Sequence, residues 1–268
     1  MGLLPGVYTA KKKNGTIYYR SSITYRKKHI SLGSFEQEEK AHRAYKEASF
    51  LLNHQEVSLS SYDENSFLSH DKWVSLLNFR DNHVYFKNPL YLKRNYFLYY
   101  LNSHMELKFD IDDLFYYANH KIMARKGHLF VADYGMQVNI LGRYGIKNYG
   151  VEGVDYVFMN GDSTDFRYEN ISIINRFQGV RQKEKNGKIF FQAKILLHGS
   201  YLIGNYSSEI EAAIAYNKAI DTVKKNGCKK NFSYNYIESY TPSQYEECYR
   251  NLSISKKIVH YKPLYNEQ

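Results

Sequence analysis

The sequence predicts an α+β protein: two small modules, each a three-stranded antiparallel sheet plus one helix, flanking a mixed α+β central domain. Three observations predict it. A segment from Gly6 to Ala48 returns, altered, from Gly179 to Ala219. Within each copy the apolar period changes from two to 3.6. Both copies also lie in basic blocks around an acidic middle. Residues 1–54 carry 10 basic and 4 acidic side chains, 55–175 carry 12 and 15, and 176–230 carry 11 and 4.

Matched positions define the repeat. Gly6-Val7 aligns with Gly179-Val180, Asn14-Gly15 with Asn186-Gly187, Gly33 with Gly204, Phe35 with Tyr206, and Ala44-Tyr45 with Ala215-Tyr216. The Asn-Gly pairs tolerate positive φ and mark hairpin turns. An alternating strand follows each. In the second copy Ile189, Phe191, Ala193 and Ile195 share one face, and Phe190, Gln192, Lys194 and Leu196 the other. In the first copy Ile17, Tyr19 and Ile23 oppose Tyr18, Arg20, Ser22 and Thr24. Arg26-Lys27 and His198-Gly199 supply the next turn, and a third strand ends at Leu32-Gly33 or Ile203-Gly204.

A helix closes each copy. In the second, Ser207 and Ser208 are N-cap residues, with Glu209 and Glu211 in the first turn. Ala212, Ala215, Tyr216 and Ala219 form a narrow apolar stripe, and Lys224-Lys225 with Gly227 mark the C-terminal end. In the first copy the helix is expected from Glu36 to Leu52, with Ala41, Ala44, Tyr45 and Ala48 in the stripe. Small alanines let a helix lie close to the sheet, so one sheet face is buried and the other is free. The expected division is 1–54, 55–175, 176–238 and a tail, 239–268.

In the centre, Phe67, Leu68, Trp73, Leu76 and Leu77 suggest a short helix after a polar linker. The aromatic run within 83–101, from Tyr85 to Tyr100, suggests strands or a core hairpin, and Asp112 to Met123 reads as a helix. The tail, with Tyr240, Tyr249 and Tyr261, is left either packing on the core or dimerising.

Composition narrows the function. With 43% hydrophobic residues and 28 tyrosines the chain is not disordered. Cys228 and Cys248 cannot make a disulfide framework, which fits a reducing, cytoplasmic setting. The opening Met1-Gly2-Leu3-Leu4-Pro5-Gly6 is too short and broken for a signal-peptide core, and no apolar run approaches a membrane span. No Walker loop, dinucleotide fingerprint, paired-cysteine zinc spacing or nucleophile elbow occurs, so no cofactor and no metal is expected. A net charge of +10 gathered in two blocks points to a polyanion.

The free sheet faces then become the candidate interface, since a small twisted sheet can enter a major groove about 12 Å wide. The first module offers Tyr18, Arg20, Ser22 and Thr24, with Arg26 and Lys28 around the turn. The second offers Arg181, Gln192 and Lys194, with Lys183, Lys185 and Lys188 nearby. Arginine and glutamine can pair with base edges, and lysines neutralise phosphates.

Both copies resemble the DNA-binding module of the Apetala/ethylene-response-factor family. The second copy carries the resemblance through Gly179-Val180-Arg181, Phe191-Gln192-Ala193-Lys194-Ile195, Gly204-x-Tyr206 and Ala212-Ala213-Ile214-Ala215-Tyr216-Asn217. The first retains Gly6-Val7, Leu32-Gly33-x-Phe35 and Ala44-Tyr45. The resemblance implies a three-stranded sheet that reads the major groove, with Arg181 matching one of the family's contacting arginines. The family's strand tryptophans have no counterpart, because the only tryptophan is Trp73. Aromatic contacts would fall to Tyr18 or Phe190.

The segment from Asp155 to Ile171 resembles the core of HNH homing endonucleases through Asn160-Gly161-Asp162 and Asp165-Phe166-Arg167-Tyr168-Glu169-Asn170-Ile171. Such a nuclease needs a histidine base and metal ligands. The base position falls at Val157 or Phe158, and Phe166 stands in place of an asparagine. Asp165 with Arg167, and Asn170 with the turn backbone, are expected to form a structural loop framework in 155–175. The favoured function is sequence-specific binding of double-stranded DNA as a transcriptional regulator, without catalysis. A metal-dependent nicking endonuclease and a DNA-binding accessory of a mobile element are the alternatives. The acidic middle is read as a spacer, and a homodimer is left open.

Overall fold

The computed structural model describes residues 3–263; Met1 and Gly2 of the opening segment and 264–268 of the tail lie outside the described residues. The architecture is α+β, as expected, with small antiparallel three-stranded sheets and helices. The chain gathers into two compact units, Met1–Ile140 with Asp162–Asn170, and Leu141–Gly161 with Ile171–Gln268.

The first unit begins with β1 (Val7–Lys11), β2 (Ile17–Tyr25) and β3 (Lys28–Phe35), in that order across one sheet, then α1 (Glu38–Asn53). Strand β3 runs to Phe35, two residues beyond the expected end, because Gly33 and Phe35 continue the ladder opposite Ser21 and Tyr19. Helix α1 buries Ala41, Ala44, Ala48, Leu51 and Leu52. The alanines meet the sheet, and the leucines meet α2 (His70–Asn82) through Leu76 and Leu77. Burying each leucine contributes roughly 1.5–3 kcal/mol. The guanidinium of Arg80, also buried, donates to the carbonyls of Leu51, His54 and Val57 at 2.6–3.0 Å. A division at 54/55 therefore does not separate two cores: α1 and α2 share one.

The aromatic run forms the expected strands, β4 (Leu90–Leu92), β5 (Tyr96–Asn102) and β6 (Met105–Asp110), one antiparallel sheet. The helix expected from Asp112 to Met123 is shorter. It is a 3-10 turn at Ile111–Asp113 followed by α3 (Leu114–Asn119). Ile122 instead opens β7 (Ile122–Arg125), which pairs with β8 (His128–Asp133) and, through it, β9 (Met136–Asn139). Pairing Ile122 with Val131 buries both side chains, and the Ile122 amide donates to the Tyr99 hydroxyl at 2.9 Å. These tertiary contacts override the helical spacing.

The second unit holds β10 (Tyr156–Phe158) paired with β11 (Ile171–Ile173), then the second module: β12 (Val180–Lys185), β13 (Lys188–Leu196), β14 (Ser200–Tyr206) and α4 (Glu209–Lys225). Ser208 caps α4 in a reciprocal box with Glu211. The tail packs on α4. Helices α5 (Pro242–Asn251) and α6 (Lys256–Val259) follow, and Ile237, Ile258 and Tyr261 join the core of the module. Polar clamps fix this arrangement: Lys218 donates to the carbonyls of Tyr249 and Leu252 at 2.7 Å, and Asp221 accepts from the hydroxyls of Tyr234 and Tyr249. This explains why α4 is buried on more than its alanine stripe, at Ile214, Asn217 and Ile220 as well.

Candidate nucleic-acid interface

The two modules share backbone devices that aim their open faces. Gly6 has φ +76° and Gly179 φ +73°, and a Cβ on either would fall within about 2.2 Å of the ring of Tyr45 or Tyr216. The chain must pass this close to the helix for β1 or β12 to enter the sheet. The pairing of each central strand with the third then shifts register at the same place, between Ser21 and Ser22 and between Ala193 and Lys194, where the third strand carries one extra residue, Leu32 or Ile203. The central-strand amide after the shift donates back to the glycine carbonyl, Ser22 to Gly6 at 3.0 Å and Lys194 to Gly179 at 2.8 Å.

Directly paired residues of an antiparallel sheet point to the same face. On the second module, Arg181 pairs with Gln192, Lys183 with Phe190, and Lys185 with Lys188, while Lys194 pairs with Leu202. Val180, Ala193, Ile195 and Ile203 are buried toward the helix. All six expected residues, Arg181, Lys183, Lys185, Lys188, Gln192 and Lys194, therefore share the open face. Gln192 donates to Asn205 at 3.2 Å, which orients both amides. The turn joining β12 and β13 is Asn186-Gly187, both at positive φ.

The first module agrees only in part. Tyr18, Arg20 and Thr24 lie on its open face, paired with Ala10, Tyr8 and His29. Arg20 donates to the Tyr18 hydroxyl at 2.9 Å, with its guanidinium 5.6 Å from the Tyr18 ring centre, so the two side chains fix each other. Ser22 departs from expectation: it is only 6% exposed. It sits on the central strand opposite the bulge of β3, and its short side chain does not rise above the flanking strands; the longer Lys194 at the matching position is exposed. Lys28 departs too. It pairs with Tyr25, whose ring packs on Phe79 in the core, and its ammonium lies 5.7 Å from the Tyr85 ring centre. That places Lys28 on the helix side. Arg26 occupies the turn, 5.7 Å from the ring centre of Tyr25.

Arg26 and Lys27 both adopt positive φ, +46° and +66°. Left-handed backbone costs an ordinary L-residue about 1–2 kcal/mol. An Asn-Gly pair, as at 186–187, would relieve the turn, so two cations are held at its tip at the expense of local stability.

Several face residues were missed at the level of sequence: Tyr8, His29 and Ser34 in the first module, Leu202 and Asn205 in the second. Their signal was the alternation of the outer strands, which shows only once the register across each hairpin is fixed. No family model matches this chain, and no curated protein or solved structure matches it. The chemistry of the two faces therefore carries the functional argument.

The segment 155–175 contains the expected loop framework. Asp165, fully buried, accepts from Arg167 Nε at 2.9 Å and Nη2 at 2.7 Å, with Lys108 Nζ at 3.6 Å. Asn170 Nδ2 donates to the carbonyl of Asp165 at 2.8 Å and of Asp162 at 3.3 Å. Burial pushes the Asp165 carboxyl up, but the hydrogen bonds of Arg167 and the charge of Lys108 pull it further down, to a net position below the usual range. The Thr164 hydroxyl and amide hold Asp162 low as well. Phe166 stacks on Phe109 in the core, and Phe158 is buried. Among the described residues no group of three or more His, Cys, Asp or Glu side chains could hold a metal ion. Nor is any helix of the described residues long and apolar enough to cross a membrane.

Proposed function

We propose that this chain binds double-stranded DNA in the cytoplasm as a sequence-specific transcriptional regulator, using the open faces of its two sheets. The observation that carries the proposal is the open face of the second module. Arg181, Lys183, Lys185, Lys188 and Lys194 project from β12 and β13 around Gln192, with no carboxylate on that face among the described residues. A narrow sheet bearing five cations and an oriented amide has the charge for phosphates and the paired donor and acceptor for an adenine edge. Arg20, held by Tyr18, supplies a fork suited to guanine on the first module. Linking two weak modules in one chain raises the effective concentration of the second once the first is bound.

The acidic groups of the nuclease-like segment are engaged in its own loop, and Val157 and Phe158 cannot take a proton. The proposal therefore has DNA bound and left intact.

Selection of random duplexes on the purified chain at about 150 mM salt, with Mg²⁺ present, tests this. The recovered DNA is sequenced for enrichment and for ends. An enriched motif in intact DNA is the expected result. Defined cut ends would establish a nuclease instead, and absence of any enrichment would remove the claim of sequence specificity.

A further inference from the structure

The open face of the second module is not uniformly cationic. Its hairpin end carries Arg181, Lys183, Lys185 and Lys188. The opposite end carries two leucines, Leu196, 64% exposed, and Leu202, 43% exposed. Lys194 pairs with Leu202, and Leu196 lies two residues further along β13, so the leucines are diagonal neighbours on one face. Neither is covered by the described residues of the tail, although these reach the strand beside them: Ser255 donates from its hydroxyl to the Leu202 carbonyl and from its amide to that of Ile203, both at 2.8 Å. The first module has polar residues at the matching places, Thr24 for Leu196 and Ser31 for Leu202. The fold therefore does not require apolar side chains there.

Resting on the DNA-binding proposal above, we infer that Leu196 and Leu202 are specificity-determining residues that contact the 5-methyl groups of thymines in the major groove. Charge complementarity fixes the occupant. The five cations of the same face favour a polyanion, and the major groove of duplex DNA presents a patterned apolar group at its floor, the thymine methyl. Lys194, beside Leu202, stands where it can reach a phosphate at the groove wall while the leucines face inward.

The test uses the full chain and the enriched duplex from the selection, resynthesised with deoxyuridine replacing thymidine one position at a time. Uracil keeps every hydrogen-bonding group and lacks only the methyl. Wild-type protein is expected to bind about fourfold more weakly for each contacted methyl removed, taking about 0.8 kcal/mol per buried carbon and tenfold per 1.4 kcal/mol. The double variant Leu196→Ser, Leu202→Ser, which leaves no side-chain methyl at either place, is expected to bind thymine and uracil duplexes alike with an unchanged salt dependence. Both leucines are exposed, so folding is not at stake, and the wild-type comparison needs no variant. Equal binding of all uracil duplexes by wild type would overturn the inference while leaving DNA binding intact. A thymine preference that survives in the double variant would overturn the assignment to these leucines. Failure to bind any duplex would refute the DNA-binding proposal itself, and the inference with it.

Discussion

On the central strand, opposite the bulge of its neighbour, the first module carries Ser22 and the second Lys194; paired with them on that outer strand, the first displays a polar Ser31 and the second an apolar Leu202. Around these differences the backbone repeats closely. Both modules have a left-handed glycine under a helix tyrosine, an amide returning to that glycine, and an alanine stripe facing the sheet. The fold of the module thus depends on a few positions on its helix side. The open face is released from that constraint, and the two copies use it differently. The second gathers charge. The first offers Tyr8, Tyr18 and Arg20 with small hydroxyl side chains, and among the described residues Arg20 is the only arginine or lysine on its strands that the register places on the open face.

If the second face supplies most of the phosphate binding, replacing Lys183, Lys185, Lys188 and Lys194 with glutamine produces the largest effect. Affinity at physiological salt should fall about 10²- to 10³-fold, and the slope of log K against log salt should flatten by roughly 0.9 for each phosphate no longer neutralised. Titrations at several salt concentrations measure both. An unchanged slope would break the proposed asymmetry between the modules.

The shared backbone can be tested through its glycines. In the second module a Cβ at Gly179 meets both the Tyr216 ring and the Lys194 carbonyl, 2.5 Å away; at Gly6 the three nearest atoms, the closest 2.1 Å away, all belong to the Tyr45 side chain. A side chain can shift as a whole more easily than a strand. Gly179→Ala should therefore cost about 3 kcal/mol of stability and Gly6→Ala about half that, read by denaturant unfolding. Equal costs would mean that the two close approaches are alike after all.

How much of this was legible in the sequence follows from the same asymmetry. The helix side was readable because it obeys periodicity: Ala44, Ala48, Ala212 and Ala219 are buried where their spacing put them. The open face was half readable. On β13 strict alternation placed Gln192 and Lys194 correctly. On β2 the same alternation put Ser22 outward, and it is buried, because side-chain length opposite a bulge is not a matter of period. Lys28 looked like one more basic residue of a turn, and only the pairing with Tyr25 assigns it to the helix side. Beyond the modules, Asp112 to Met123 had helical spacing, yet a partner strand took Ile122. Long-range pairing was the information a local pattern could not hold.

A third experiment separates base reading from charge on the first module. Arg20→Ala should cost about 1–3 kcal/mol on the preferred site and much less on random duplex, because a fork to a base edge discriminates and a phosphate contact does not. Tyr18→Phe, which removes the hydroxyl that accepts from Arg20 while keeping the ring, should reproduce a smaller part of that loss. Equal losses on specific and random DNA would make Arg20 a phosphate contact and remove base reading from the first face.

The smallest effect concerns the turns. The second module closes its first hairpin with Asn186-Gly187, residues at ease with positive φ, whereas the first module places Arg26 and Lys27 in the same backbone region at the tip of its second hairpin. Strain retained at a cationic tip argues for a use of those charges that outweighs local stability. Arg26→Asn with Lys27→Gly should raise stability by about 1 kcal/mol, the left-handed cost being relieved at two positions and partly offset by the freer unfolded chain that glycine brings. DNA binding should weaken by a few-fold in the same variant, with the loss shrinking as salt rises. Stability and binding moving in opposite directions is the signature of a turn shaped by its partner. If both rise together, Arg26 and Lys27 are decoration on a solvent-facing loop, and the first module's contact with DNA is confined to its sheet.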